Sequence, residues 1–233
     1  MPRSGNQLLD SLSDSAWERL VPSIRVIETD ERATLFEAGD RRRDAWFPCN
    51  GAVVSLLEVF ADGATIEVGM IGDEGVVGLD AIFSTPVRGS RAIVQARGTL
   101  LRIGVTALRA EMYLDKALQA AVFRFAGALY AQLANHAACN RLHLDEQRAA
   151  HWLLWLADRS HRDELHVTQE LLAEMLGTRR ATVNQALARL EQRALVASSR
   201  GRIRITDRRA LEQAACECYL RIREEYVRAL HVV

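Results

Sequence analysis

The chain has 233 residues with 30 basic and 30 acidic side chains, so its formal net charge is zero and any attraction to a polyanion must come from a local basic surface. Its length is sufficient for two domains with cores of their own. It contains no uninterrupted apolar run long enough for a membrane span, and its first residues lack the apolar core of a signal peptide. We therefore expect a cytoplasmic protein with no membrane contact.

The first hundred residues predict short helices followed by a β domain. Ser13 is placed to cap a helix, and from residue 25 to 103 brief apolar segments alternate with Gly, Asp, Asn and Pro. Asp62-Gly63, between two apolar segments, is typical of a hairpin turn. Residues 1–104 are therefore predicted to form a β-sandwich or jelly roll.

Residues 105–143 predict one long helix and a hinge. Apolar side chains recur near heptad spacing, and a small sandwich could not cover such a stripe along its whole length. We expect the helix to pair with its own copy in a homodimer, with burial inside the chain as the alternative. The predicted dimer contacts are Leu118, Val122, Phe125, Leu129, Leu133 and His136.

Beyond the hinge, Asp145 should cap a helix that extends to Arg159. Two short helices are then predicted at residues 169–176 and 179–192. Thr168 and Thr178 are placed to cap them, and Gly177 supplies the permissive backbone that the turn between them needs.

A basic β-hairpin follows the helix pair. Ile203 and Ile205 alternate with arginines behind the turn at Arg200-Gly201, as in a strand with one buried side. A helix pair followed by such a hairpin has the organisation of a winged helix-turn-helix. Asp207 should cap one last helix, which ends near residue 230.

The second helix of the pair and the hairpin share a basic surface. Residues 178–204 contain seven arginines and one acid, Glu191, which gives a local charge of +6 (7 − 1). Arg, Asn and Gln can make bidentate contacts to purine edges, and Arg and Thr also reach phosphates, so we predict binding to double-stranded DNA. The predicted contacts are Thr168, Gln169, Thr178, Arg179, Arg180, Thr182, Asn184, Gln185, Arg189, Ser199, Arg200 and Arg202.

This order of sandwich, long helix, hinge and winged helix-turn-helix resembles the bacterial Crp/Fnr family of transcription regulators. The resemblance covers nearly the whole chain and is most specific in IGDEGVVGL, LDEQRAAHWLLWLAD and VTQELLAEMLGTRRATV. It implies an α+β fold with a cyclic-nucleotide-binding-like sandwich in residues 1–104, a dimerisation helix and hinge in 105–143, and a DNA-binding domain with an extra C-terminal helix in 144–233. It also implies a homodimer on a palindromic site, and contact with RNA polymerase if the protein activates transcription.

Within this resemblance, Gly177, Arg180 and Thr182 match the family pattern at the start of the second helix, which implies that Arg180 makes the main base contact. Arg179 stands where the family usually has Ser, and Ala181 stands where many members have Glu. A Glu would accept a hydrogen bond from cytosine and Ala cannot, so the half-site should differ from the familiar one at that base.

The resemblance also allows the effector to be considered. Members that bind cyclic AMP hold its ribose with a Glu and its phosphate with an Arg-Ser or Arg-Thr pair. This chain has a valine near the Glu position, and its Ser and Arg stand in shifted order. Cyclic AMP is therefore disfavoured as the effector. Another small molecule is one hypothesis, and a regulator without any ligand, controlled by its abundance, is the other. The candidate pocket residues are Val76, Val77, Arg88, Ser90 and Arg91.

No metal cofactor is expected. An iron–sulfur sensor of the Fnr type would need a cysteine cluster near the N-terminus, and a haem sensor would need a histidine in the sandwich; the first cysteine is Cys49 and the first histidine is His136. His136, Cys139 and His143 share one face of a helix end and could hold a metal across a dimer, but packing near the hinge is favoured.

Two further alternatives concern the remaining cysteines and the general function. Cys216 and Cys218 are expected in one helix with their thiols pointing apart, which makes a mutual disulfide or shared chelation difficult. No nucleophile–base pair or phosphate loop is recognisable, so an enzyme is not expected. A ligand-binding module that has lost DNA binding is the other alternative, and the intact basic surface argues against it.

Overall fold

The computed structural model describes residues 3–85 and 87–230, which form an α+β structure. Two short helices come first, α1 (Gln7–Asp10) and α2 (Asp14–Leu20). The Ser13 hydroxyl accepts a hydrogen bond from the Ala16 N–H, which confirms the predicted cap of α2. Leu8, Leu9, Ala16 and Leu20 of these helices are buried in the apolar core of the chain, and Trp17 is partly buried.

Two antiparallel sheets then form the predicted sandwich. Its elements are β1 (Ile24–Thr29), β2 (Thr34–Phe36), β3 (Asp44–Cys49), β4 (Val53–Val59), β5 (Thr65–Ile71), α3 (Leu79–Ile82), β6 (Ser90–Ala96) and β7 (Gly98–Gly104). The strand orders are β1-β7-β3 in one sheet and β2-β6-β4-β5 in the other. The β4–β5 hairpin turns at Asp62-Gly63, as predicted, and Gly63 has the positive φ that such a turn needs.

The long helical segment is divided into α4 (Val105–Leu114) and α5 (Lys116–Leu142), whereas the sequence predicted one helix. Asp115 is the reason for the division. Its backbone is extended, and its carboxylate accepts a hydrogen bond from the Leu118 N–H at 2.9 Å, so it acts as the N-cap of a new helix.

The C-terminal half contains the predicted winged helix-turn-helix. Its elements are α6 (Asp145–Ser160), β8 (Glu164–Leu165), α7 (Gln169–Leu176), α8 (Arg180–Gln192), β9 (Val196–Ser199), β10 (Arg202–Ile205), α9 (Arg208–Ala214) and α10 (Cys218–Leu230). Thr168 caps α7 and Gly177 ends it with a φ of 59°, both as predicted. Two cap predictions are wrong: Arg179 rather than Thr178 is the N-cap of α8, and Asp145 is the first residue of α6 rather than its cap.

The predicted last helix is two helices. The residues between α9 and α10 leave the helical path, beginning with Ala215 in an extended conformation at φ −70° and ψ 156°. The break lets α10 turn back and pack along α5, where the Tyr226 hydroxyl and the Gln132 side-chain amide share a 2.7 Å hydrogen bond. Arg124 of α5 also donates to the carbonyl of Ala229 at 2.9 Å.

This packing changes the role of the apolar stripe on α5. Leu118, Val122 and Phe125 are fully buried inside the single chain, and the Phe125 ring lies 6.2 Å from the Tyr226 ring. The stripe therefore faces the chain's own core, and not a free surface, because α10 and the sandwich cover it. Of the predicted dimer contacts, Leu118, Val122, Phe125 and Leu129 are buried within the single chain, and Leu133 and His136 are half-buried. This placement favours the alternative of burial inside the chain, and pairing through these residues stays a prediction. Within the described ranges, no helix combines the length and apolarity needed to cross a membrane.

Candidate nucleic-acid interface and a cysteine–histidine cluster

The helix pair α7–α8 is held by a buried apolar side that the sequence predicted. Val183, Ala186, Leu187 and Leu190 of α8 are all buried, at the i, i+3, i+4, i+7 positions of one face. The opposite face of α8 is turned mainly toward solvent, although Arg189 lies 3.8 Å from the carboxylate of Glu146 in α6. It presents Arg179, Arg180, Asn184, Gln185 and Arg189 as exposed side chains, with Thr182 half-buried beside them.

A groove of about 640 Å³ separates the start of α7 and α8 from the β9–β10 hairpin, which we call the wing. Six predicted DNA contacts line it: Thr168, Gln169, Arg180, Ser199, Arg200 and Arg202. The other six lie outside this groove: Thr178, Arg179, Thr182, Asn184, Gln185 and Arg189. Segments from both sides of the turn therefore converge on one concave surface, which is lined by Arg180, Arg200 and Arg202 together with the acids Glu170 and Glu191.

Acidic side chains hold this surface in shape. Glu191 lines the groove and accepts a hydrogen bond from the Ser198 N–H at 2.7 Å, which ties the wing to the end of α8. Arg202 pairs with Glu164 at 3.0 Å, and its side chain remains 56% exposed. Among the described residues no acid forms an ion pair with Arg180, so that guanidinium is available to a ligand.

The helix-turn-helix has a recognisable relative. Residues 147–214 match the model of the Crp-like helix-turn-helix domain. This segment is therefore a helix-turn-helix domain of the Crp type. The match supports binding to DNA through this domain. A search of curated proteins by sequence found no match.

Solved structures of Crp/Fnr-family regulators share the fold of this chain over most of its length. A Crp/Fnr-family regulator from Eubacterium rectale has a TM-score of 0.70 at 16% identity, covering 89% of this chain and 96% of that one. A CRP-family regulator from Thermus thermophilus has a TM-score of 0.67 at 21% identity, covering 81% and 96%. FixK2 from Bradyrhizobium japonicum has a TM-score of 0.69 at 14% identity, covering 83% and 98%. At these identities the likeness establishes a shared fold, which confirms the predicted α+β class.

The sandwich has a cavity of about 360 Å³ between its four-stranded sheet and α5. Of the predicted pocket residues, Val76 and Ser90 line this cavity, whereas Val77, Arg88 and Arg91 do not. Val77 is buried with its backbone bonded to β3, and Arg88 is exposed.

Arg42, which the sequence did not single out, is the one basic side chain among the described residues that line the cavity. Its guanidinium lies 4.0 Å from the centre of the Phe36 ring and forms an ion pair with Asp80. It also donates to the carbonyls of Val87 and Ser90, at 2.9 and 2.7 Å. These contacts fix the Arg42 side chain in the wall of the cavity.

A second site contradicts the prediction that no metal cofactor is expected. Cys139, His143, Cys216 and Cys218 place their ligand atoms within 4.8 Å of one another, and the three cysteines are buried. We call these four residues the Cys3His cluster. The prediction failed because it placed Cys216 and Cys218 on one helix, whereas the break after α9 leaves Cys216 outside both helices and turns both thiols toward α5.

Neighbouring groups polarise the Cys3His cluster. The hydrogen bond with Cys139 and a second one with His151 lower the pKa of Cys216, and the same hydrogen bond, together with burial, raises the pKa of Cys139. His151, a residue of α6 that the sequence did not indicate, lies 3.4 Å from the Cys216 sulfur through its Nδ1. Its Nε2 is buried without a hydrogen-bond partner in the described part of the chain.

His136, predicted as a dimer contact and weighed as a metal ligand, is outside the Cys3His cluster. Burial lowers its pKa to about 3, with the neighbouring His151 contributing, so the ring is neutral. Its Nδ1 lies 3.0 Å from the carbonyl of Val68, to which a neutral ring can donate. His136 therefore helps to join α5 to β5.

Proposed function

We propose that the protein is a Crp/Fnr-type transcription regulator that binds a palindromic duplex site as a homodimer, with α8 in the major groove and the wing along the phosphates. The observation that carries this proposal is the exposed face of α8, which opens onto the groove shared with the wing. A helix fits the major groove, and its N-terminal residues reach the base edges.

Each part of the surface suits a different contact. Arg180 is the first residue of α8 and lines the groove, so it is placed for a bidentate contact to guanine. Asn184 and Gln185 lie one turn further along and suit adenine edges. Ser199, Arg200 and Arg202 of the wing are exposed and suit phosphate oxygens.

The homodimer is supported by a second face of α5, which stays exposed after the apolar stripe is buried. Exposed side chains recur there at alternating steps of four and three residues, the spacing of a two-stranded coiled-coil seam. We call this face the outer seam; it consists of Phe123, Gly127, Tyr130, Ala134, Ala137 and Arg141. The aromatic and small residues of this exposed face would allow a second copy of the helix to approach closely.

The three segments would then divide the work. We propose that residues 1–104 sense a signal, residues 105–143 dimerise and pass it on, and residues 144–233 bind DNA. The mainly apolar cavity beside α5 favours a small apolar effector, because a ligand there would contact the helix that sets the distance between the two DNA-binding domains. A regulator controlled by its abundance alone is the alternative.

The DNA-binding proposal is tested with Arg180→Ala on a duplex selected from a random pool. We expect the affinity for the selected site to fall about 5- to 150-fold, corresponding to the roughly 1–3 kcal/mol of a bidentate base contact. Gel-shift titration measures the affinity, and circular dichroism checks that the variant is folded.

The matched control is Arg25→Ala, which removes an exposed arginine from β1 of the sandwich. It should leave the affinity unchanged. If Arg180→Ala binds the selected site as tightly as the wild type, α8 does not read the bases through Arg180.

A further inference from the structure

We propose that the Cys3His cluster binds a single tetrahedral divalent ion, best matched by Zn²⁺, and that this ion clamps the DNA-binding half of the chain to the end of α5. The proposal is independent of which DNA sequence the protein recognises. It rests on four observations: the distances between ligand atoms, the donor set, the position of the four residues in the fold, and the support from α6.

The distances fit one ion. The sulfurs of Cys139 and Cys216 are 3.5 Å apart, and the sulfur of Cys218 is 3.6 Å from Nδ1 of His143. Ordinary zinc bond lengths in a tetrahedron place two thiolate sulfurs about 3.8 Å apart and a sulfur and a nitrogen about 3.6 Å apart. The cluster is therefore arranged around a point that can accept an ion with little movement.

A polynuclear cluster fits less well. In a polynuclear cluster, two cysteine sulfurs bound to different irons are separated by two iron–sulfur bonds and the iron–iron spacing. Their sulfur–sulfur distance is therefore longer than that between two ligand atoms on one tetrahedral ion. All four ligand atoms here lie within 4.8 Å of one another. Three thiolates and one imidazole are also a donor set typical of structural zinc, and a closed four-ligand site leaves no position for catalysis.

The position of the site gives the ion a mechanical role. Cys139 lies in the last turn of α5, and His143 is the C-cap residue that ends it, directly before α6 begins. Cys216 and Cys218 come 77 and 75 residues after Cys139 and His143 respectively, beyond the wing. An ion bound by all four would close this loop around the whole helix-turn-helix and fix the hinge from both sides.

His151 supports the site from a third direction. It belongs to α6, the helix under α8, and its Nδ1 can donate to the Cys216 thiolate at 3.4 Å. Its ring also packs edge-on against Trp155 and Tyr219, which holds it in place. A hydrogen bond to a ligand from a fixed neighbour is the usual way in which a metal site keeps its ligands oriented.

The first test measures the metal on the full chain. Protein purified without chelator from zinc-supplemented cells should contain about one zinc ion per chain, measured by inductively coupled plasma mass spectrometry. Replacement by Co²⁺ should give the visible spectrum of a tetrahedral ion together with a thiolate charge-transfer band. Absence of both, or iron with acid-labile sulfide, would overturn the single-ion site.

The second test uses variants with a matched control. Cys216→Ser with Cys218→Ser should lose the bound zinc, whereas Cys49→Ser, which changes a buried cysteine in the sandwich, should keep it. Since the double variant could fail to fold, the cobalt titration of the wild type decides the site on its own. Retention of a full equivalent of zinc by the double variant would contradict the proposed ligands.

The third test addresses the clamp. Removal of zinc with a chelator should increase amide hydrogen exchange in residues 140–146 and lower the Tm by several degrees, and returned zinc should reverse both changes. Unchanged exchange at the hinge with a fully depleted protein would show that the ion does not clamp it. None of these measurements uses DNA, so they can fail or succeed independently of the proposed DNA contacts.

Discussion

Single buried polar residues join the sandwich of this regulator to its DNA-binding half. Glu67 of β5 is 4% exposed and accepts a hydrogen bond from the indole N–H of Trp152 at 2.9 Å. Glu74 pairs with Arg159 at 2.8 Å, and both side chains are buried. Because Trp152 and Arg159 belong to α6, the helix beneath α8, these contacts fix how the DNA-binding half rests on the sandwich.

Glu67 should make stability depend on pH. Burial raises its pKa from the ordinary 4.5 to about 8, although hydrogen bonds from Ser55 and Trp152 oppose the change. Between these two values the folded chain keeps a proton that the unfolded chain has released, so the free energy of unfolding falls as the pH rises through that window. Glu67→Gln removes the titration and should flatten the profile, gaining on the order of a few kcal/mol over the wild type above pH 8.

Urea unfolding followed at several pH values measures this effect. Glu18→Gln, which changes an exposed acid on α2, is the matched control and should follow the wild-type profile. Equal slopes for Glu67→Gln and the wild type between pH 5 and 8 would show that Glu67 titrates normally in the folded chain.

At the scale of elements, α5 has two faces with different tasks. The inner face is closely fitted: a Cβ added at Gly75 would lie 2.2 Å from the Phe125 ring, so only glycine admits that side chain. On the outer seam, a Cβ added at Gly127 would meet nothing within 4 Å. The inner face therefore serves folding of the single chain, and the outer seam is left for a partner.

Tyr130→Glu tests the outer seam. Tyr130 is 74% exposed, so the substitution should leave the single chain folded, but pairing would bring unpaired carboxylates into the contact between two copies. We expect the dimer dissociation constant to rise at least about tenfold, measured by sedimentation velocity over a range of concentrations. Tyr113→Glu, at a residue of α4 that is 76% exposed and off the seam, should leave it unchanged. Dimerisation through the outer seam would be contradicted if the wild type were a monomer, or if Tyr130→Glu left the dimer dissociation constant unchanged.

At the scale of the whole molecule, one continuous apolar core links the sandwich, α5, α6 and the helix-turn-helix. The tip of the β4–β5 hairpin also touches α7, where the Thr65 hydroxyl donates to Glu174 at 2.7 Å. The sandwich is therefore connected to the DNA-binding surface through α5, through the contacts with α6 and through this hairpin. That arrangement suits a regulator whose DNA affinity follows the state of its sandwich.

Cyclic AMP should not be the signal that acts through these connections. Arg42 is already paired with Asp80. Val76 lines the cavity near the position at which the family resemblance would imply a ribose-binding Glu. We expect millimolar cyclic AMP to leave the Tm unchanged. The affinity for the selected duplex should change by less than about twofold. Thermal unfolding and gel shifts measure both, with the duplex itself as the positive control for a rise in Tm. A clear rise with the nucleotide would show that the cavity accepts it.

Elements whose signals are local could be predicted from the amino-acid sequence. The Ser13 cap, the Asp62-Gly63 turn, the α7 boundaries and the buried side of α8 depend on residues within one or two turns of each other, where capping, turn chemistry and helical spacing act directly. The basic surface was visible for the same reason. Only its closure into a groove needed the fold.

Contacts between residues that are far apart along the chain could be identified only from the fold. Two stripes at heptad spacing run along α5, and the spacing alone does not indicate which of them is buried. The more apolar stripe is covered by α10, which lies about a hundred residues further along the chain. The Cys3His cluster forms because a short break beyond the wing returns two thiols to the end of α5, across a separation of 77 residues. Such contacts follow from the packing of whole elements, which local patterns do not encode.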